Sequence, residues 1–147
     1  MLKAVSDGDL NAIQEIIKNK GSESIRTIDK HGKTAFHIAA DKGHLKIIQW
    51  LFDNDANYQL RERDHEGRTG IHLACKNGHV QVAQWLYSIG SDKFKINFEI
   101  FKIACENNQI NMVDWLYELS IENEDPIDIP ESLSISLIIL GIKLGAP

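Results

Sequence analysis

Apolar positions along this chain recur with a helical period rather than the alternation of a strand. Ile47, Ile48, Leu51 and Phe52 fall on one face of a helix, and Val82, Ala83, Leu86 and Tyr87 on one face of another. A shorter apolar run precedes each, "TAFHIAA" and "TGIHLAC", and "DKGH" and "KNGH" separate short run from long. Thr34 and Thr69 open the short runs, where a side-chain oxygen can accept from the free N–H groups of a first turn. His37 and His72, three residues on, can reach back to that turn in the manner of a capping box. Gly43 and Gly78 supply the left-handed backbone that ends a short helix. The pattern therefore predicts helix pairs, with second helices over about 45–54 and 80–89.

These pairs are copies of one unit. Residues 29–57, "DKHGKTAFHIAADKGHLKIIQWLFDNDAN", align without a gap to 64–92, "DHEGRTGIHLACKNGHVQVAQWLYSIGSD". Identities fall at an offset of 35: Asp29/Asp64, Gly32/Gly67, Thr34/Thr69, His37/His72, Ala39/Ala74, Gly43/Gly78, His44/His79, Trp50/Trp85 and Leu51/Leu86. A weaker copy covers 2–17, and "FKIACENNQINMVDWLYELS" (101–120) aligns at an offset of 30. Such a unit shows apolar surface on two sides and needs neighbours to cover it, so the repetition implies a stack. The expected units are 1–28, 29–63, 64–95 and 96–121, the first an atypical terminal unit with Asp9 and Asn11 at its turn, and the fourth with Asn97 placed to cap its first helix. Residues 122–147 read as a polar loop and a closing helix, opened by Pro130 and ended by Gly145.

The shared Asp, Gly, Thr, His, Ala, Gly and His of residues 29–92 resemble the ankyrin repeat, whose period is about 33 residues. The resemblance weakens over 2–20 and 98–120 and stops beyond. It implies an all-α ankyrin-repeat solenoid of stacked helix pairs with short β-hairpin fingers, forming a single domain over 1–147. It also implies a non-enzymatic module that binds a partner protein through those fingers and a concave face lined by the first helices. Where the family has Thr-Pro-Leu-His, this chain reads "TAFH" and "TGIH", and Gly70 should loosen its helix start.

The repetition also disposes of the one tempting chemical constellation. His72, Cys75 and His79 have the spacing of a helical metal or nucleophile site, but the equivalent of Cys75 in the preceding unit is Ala40. Both histidines belong to the shared framework, and Cys75 and Cys105 occupy a small apolar position where a thiol acts as a hydrophobe. No phosphate loop, nucleophile elbow or HExxH pattern occurs. Neither catalytic residues, nor a metal site, nor a cofactor is expected.

Charge and cysteine usage narrow the setting. A net charge of −5 does not suggest nucleic-acid binding. Two cysteines do not make a secreted disulfide framework, which favours a reducing compartment. Acidic residues interrupt the N-terminus as a secretory signal, and "LSISLIILGIKLGAP" is too short to span a bilayer. The expectation is a cytoplasmic monomer with no membrane contact. The alternative is the targeting part of a larger enzyme or secreted effector, acting in a host cytosol, with its catalytic domain outside this chain.

Residues that differ between units must carry the information about a partner, because framework residues are fixed by packing. That selects Lys30, His31 and Lys33 on the first finger and His65, Glu66 and Arg68 on the next. On the first helices it selects Asp41, Lys42, Lys76, Asn77, Glu106 and Asn107, with Ser6 and Asp7 by analogy. Residues 1–93 hold 13 basic and 12 acidic side chains, whereas 94–147 hold 3 and 9. The basic first finger suits acidic groups on a partner. Trp50, Trp85 and Trp115 form a further ladder on the second helices, read as packing between units.

Overall fold

The computed structural model describes residues 1–90 and 97–123, with Asp55 described through its backbone alone. Eight α-helices occur among these residues: α1 (Leu2–Asp7), α2 (Leu10–Lys20), α3 (Ala35–Lys42), α4 (Leu45–Leu51), α5 (Gly70–Lys76), α6 (Val80–Gly90), α7 (Phe98–Glu106) and α8 (Ile110–Glu122). They pair in chain order, and the first members stack on one another, α1 on α3, α3 on α5 and α5 on α7. Phe36, Ile48, Leu51, Leu86, Phe101 and Leu116 are among the side chains buried where the layers meet. The predicted closing helix lies outside the described residues.

Caps form at Thr34, Thr69 and Asn97, where the sequence placed them, and at Asp9 in the turn of the first unit. Thr34 Oγ1 accepts from the His37 N–H at 3.3 Å, and His37 Nδ1 accepts from the Thr34 N–H at 3.3 Å. Thr69 and His72 repeat this reciprocal box at the start of α5. In the atypical units, Asp9 accepts from the Ala12 N–H at 2.9 Å and Asn97 from the Ile100 N–H at 3.1 Å. Each satisfies a donor that a helix start would otherwise leave free.

The chain after α4 departs from expectation. The α-helix ends at Leu51 instead of running on to 54, and a π-helical turn, Phe52–Ala56, passes into a 3-10 turn, Asn57–Arg61. This connection carries Gln59 into the interior, where only 1% of it is exposed. Its Nε2 donates to the Ile25 carbonyl at 2.9 Å and its Oε1 accepts from the Phe36 N–H at 3.2 Å. One buried amide thus ties the tail of its own unit to the start of α3 and to the end of the unit before. Paired at both ends, it avoids the cost of an unsatisfied buried polar group.

The fingers close as tight turns around an aspartate. Asp29 Oδ1 accepts from the His31 and Lys33 N–H groups, both at 2.8 Å, and Gly32 takes a positive φ of 73°. Asp64 does the same with Glu66 and Arg68, at 3.0 and 2.9 Å. A single backbone bond joins the two fingers, from the His65 N–H to the His31 carbonyl at 2.9 Å. One such rung does not make a ladder, and no strand occurs among the described residues.

Glycine at the end of a first helix has two tasks. Gly43 caps α3 with φ 76°, and an added Cβ would also sit 2.6 Å from His79 Nδ1, in the next unit. Gly8 stands in the same relation to the ring of His44. Gly70 is different: its Cβ would make ordinary contacts of 3.5–3.9 Å with Ala40, Phe36 and Leu86. Urea denaturation should therefore separate them. Gly43→Ala should cost about 2–3 kcal/mol, combining left-handed strain with displacement of the His79 ring. Gly70→Ala should gain roughly 0.4–1 kcal/mol by stiffening the unfolded chain. A neutral Gly43→Ala would contradict the shared role of that glycine.

Candidate functional site

Four histidines hold this face together before any partner arrives. The His37 ring is fully buried, and its Nε2 lies 2.9 Å from the Arg68 carbonyl, in the finger of the next unit. Its Nδ1 accepts from the Thr34 N–H and sits 2.9 Å from Thr34 Oγ1, so the ring is neutral with its proton on Nε2. Burial holds its pKa below the usual 6.5, although the Arg68 carbonyl pulls the other way. His72 is likewise buried, and burial depresses its pKa against the opposing charge of Glu99. His44 and His79 reach backwards, placing Nε2 3.1 Å from the Ser6 carbonyl and 3.0 Å from the Asp41 carbonyl. From sequence these two only followed a helix-ending glycine. The recurring Gly-His pair was the available signal that they stitch units together.

The candidate binding residues fall into two groups. Lys33, Asp41, Arg68, Glu66 and Asn77 are engaged in bonds within the chain, Glu66 and Asn77 while still exposed. Lys33 Nζ lies 3.2 Å from Asp41 Oδ2, which fastens the finger to the end of α3. Asn77 Nδ2 donates to Asp41 Oδ1 at 2.9 Å, carrying the connection into the next unit. Arg68 forks between Asp64 Oδ2 at 2.9 Å and Glu66 Oε2 at 2.8 Å. Burial pushes the Asp64 carboxyl upward, but the backbone and side-chain bonds from Arg68 outweigh it and leave the pKa lowered. At Asp29 burial is likewise outweighed, by the N–H bonds of Lys33 and His31.

The second group faces solvent. Lys30, His31, Lys42 and His65 are exposed, and Lys76 is half-buried. The His65 ring covers Gly32 of the neighbouring finger, so it also helps to set finger spacing. Ser6 is half-buried and Asp7 pairs with Lys3 at 2.6 Å. In the fourth unit Glu106 lies 3.6 Å from Lys102, and the Asn107 side chain donates to the Ile103 carbonyl at 2.8 Å. The Lys33–Asp41–Asn77 chain shows that the first finger and the ends of α3 and α5 make one continuous surface. A cleft of about 490 Å³ between Phe52, Tyr58 and Ile89 lies apart from that surface, and no candidate residue lines it.

Two of the three tryptophans, Trp85 and Trp115, pack between units, and Trp50 packs partly buried against the core. Phe52 meets Trp85 edge to face, with centroids 5.5 Å apart, and Tyr87 meets Trp115 in the same way at 6.2 Å. In both cases the aromatic two residues after one tryptophan holds the tryptophan of the next unit. All three indoles are half-buried. The cysteines are free and buried, and burial pushes Cys75 up to about 12 and Cys105 up to about 11. Neither offers a thiolate to a metal or a substrate near neutral pH. With His72 Nδ1 on Thr69 and His79 Nε2 on Asp41, the spacing of His72, Cys75 and His79 serves the scaffold.

The family model described as ankyrin repeats (many copies) matches residues 1–52 and 37–86. The chain belongs to the ankyrin repeat family. Ankyrin repeats are generally non-catalytic modules of protein–protein interaction. No curated protein is matched by this ankyrin chain. Among the described residues, no helix is long and apolar enough to cross a membrane.

Two measurements test these assignments. The folded ankyrin chain keeps His37 and His72 depressed below 6.5, so below that pH it binds fewer protons than the unfolded chain. Stability should be complete above about pH 6.5 and decline as pH falls beneath it. A further decline should set in below pH 3.8, as the depressed carboxylates of Asp29 and Asp64 take up protons. Urea midpoints that stay flat from pH 7.5 to 5 would contradict the neutral buried rings. Separately, Ellman's reagent at pH 8 should leave both thiols unmodified in the native chain and label both in urea. Rapid native labelling of Cys75 would show that the thiol is not enclosed.

Proposed function

We propose that this protein binds a partner protein through its fingers and the concave face of its first helices, without catalysis of its own. The observation that carries this reading is how bonds are divided between the two kinds of residue. Framework residues shared by the units are occupied internally: Thr34, His37, Asp64, His79 and their equivalents all hold turns or neighbours. Variable residues on the same surface include Lys30, His31, Lys42 and His65, which remain exposed. A rigid frame that displays variable side chains along one edge recognises other molecules, since loss of side-chain freedom on binding is small when the backbone is already fixed.

Alanine substitution tests the assignment of the face. Lys30→Ala, His31→Ala and His65→Ala together should abolish capture of specific partners from a native-source lysate. Gln14→Ala with Lys18→Ala, exposed on α2, should leave capture intact. Both variants should keep their secondary structure by circular dichroism. Partners retained by the finger variant but lost from the α2 variant would move the interface to the opposite side.

A further inference from the structure

We infer that the partner presents an acidic segment, which lies across the fingers and first-helix ends of the second and third units. This rests on the binding face proposed above and adds the chemistry of what it holds.

The inference comes from following each charged side chain of the two finger turns (29–33 and 64–68) and of the ends of α3 and α5 to its bonded partner. Every acid there is occupied. Asp29 accepts two backbone N–H groups of its own turn. Asp41 is held between Lys33 and Asn77, and Asp64 and Glu66 share Arg68. Lys33 and Arg68 are thereby neutralised as well. What remains is Lys30, Lys42 and Lys76, none of which makes an ion pair or a side-chain hydrogen bond among the described residues. These turns and helix ends carry five bases and four acids, a small cationic excess, and the charged side chains left without a bonded partner are the three lysines.

An acid stands exposed at the start of α7. Glu99 opens α7 with its side chain 68% exposed and lies 3.9 Å from His72 Nε2, on a ring whose depressed pKa keeps it neutral at pH 7. Lys102, on the same helix, is paired with Glu106. An acidic segment is thus attracted by the lysines of the second and third units and meets a like charge at Glu99. Complementarity of this kind contributes to choice of partner and speed of encounter more than to raw affinity.

The test pans a random dodecapeptide library on the full chain and on a Lys30→Glu, Lys42→Glu, Lys76→Glu variant. The native chain should enrich peptides rich in Asp and Glu, with binding that weakens as salt is raised. The triple variant should bind those peptides about tenfold more weakly or worse, because each exposed pair contributes modestly and reversal turns attraction into repulsion. Its thermal midpoint should stay close to that of the native chain, since no internal bond is removed. Enrichment of neutral or basic peptides would overturn the inference, as would equal binding of acidic peptides by the variant. So would random-sequence duplex DNA that uses the same lysines more tightly than the peptides do. Non-acidic peptides that are lost with His31→Ala and His65→Ala would leave the binding face standing and remove only the acidic partner. A library without binders would count against both.

Discussion

The bond from the buried His37 ring to the Arg68 carbonyl is the contact on which the arrangement of this protein depends. Its Nδ1 completes the cap of α3 while its Nε2 fixes the finger of the following unit. A single neutral imidazole therefore couples the local fold of one unit to the position of the next. That coupling matters because an isolated helix pair of this kind cannot bury its own apolar sides. The stability of a stack is approximately the sum of its units and of the contacts between neighbours. Two further stitches run parallel to this one, at different depths. His44 and His79 join the ends of first helices over Gly8 and Gly43, and the edge-to-face pairs Phe52–Trp85 and Tyr87–Trp115 join second helices. Each stitch uses a residue from two successive units, so neither unit can shift without breaking bonds in the other.

This placement of bonds explains why the face proposed for binding is both rigid and open. The fingers are not stiffened by a sheet, since a single backbone bond joins them. Their rigidity comes from Asp29 and Asp64 bonding the turn N–H groups and from His65 resting on Gly32. Side chains used in this way are short or turned inward. Lysines at neighbouring positions are left with long stems in solvent, where they can meet another molecule without disturbing the frame.

Much of the fold was legible in the sequence because the repeat doubles every signal. Thr34 and His37 alone would suggest a cap; Thr69 and His72 at the same spacing make it a rule, and both boxes form. Asn97 was legible as a single cap for the same chemical reason, whereas Asp9 was legible only as a turn residue and proves to cap α2. Gln59 was not. An amide in a polar connection looks solvated, and only the π-helical turn that precedes it brings it inward. The candidate site was legible as a set of positions but not as a set of free groups. Variation between units chose Lys33 and Asp41 as readily as Lys30. Yet Lys33 and Asp41 are eight residues apart, a separation at which no local rule predicts contact, and the fold closes them to 3.2 Å. Arg68, by contrast, sits four residues after Asp64, and a turn closed by that aspartate could have suggested their pairing.

The fourth unit shows what the stitches require chemically. Gly78 carries φ 72°, and the corresponding residue one unit later is Asn108, which holds φ 57°, a conformation asparagine tolerates better than most residues. Gln109 replaces the histidine that follows, and its side chain still lies against the space above Gly78, where an added Cβ would fall 2.0 Å from its Oε1. The position thus needs a flat polar group seated on a glycine, and imidazole and amide both meet that need. Where His37 has the Arg68 carbonyl at 2.9 Å, His72 Nε2 has, among the described residues, the Glu99 carboxylate at 3.9 Å. The group that meets the framework histidine thus changes from a backbone carbonyl at the second unit to an exposed carboxylate at the third, so the same imidazole that ties one finger in place stands beside an acid one unit later.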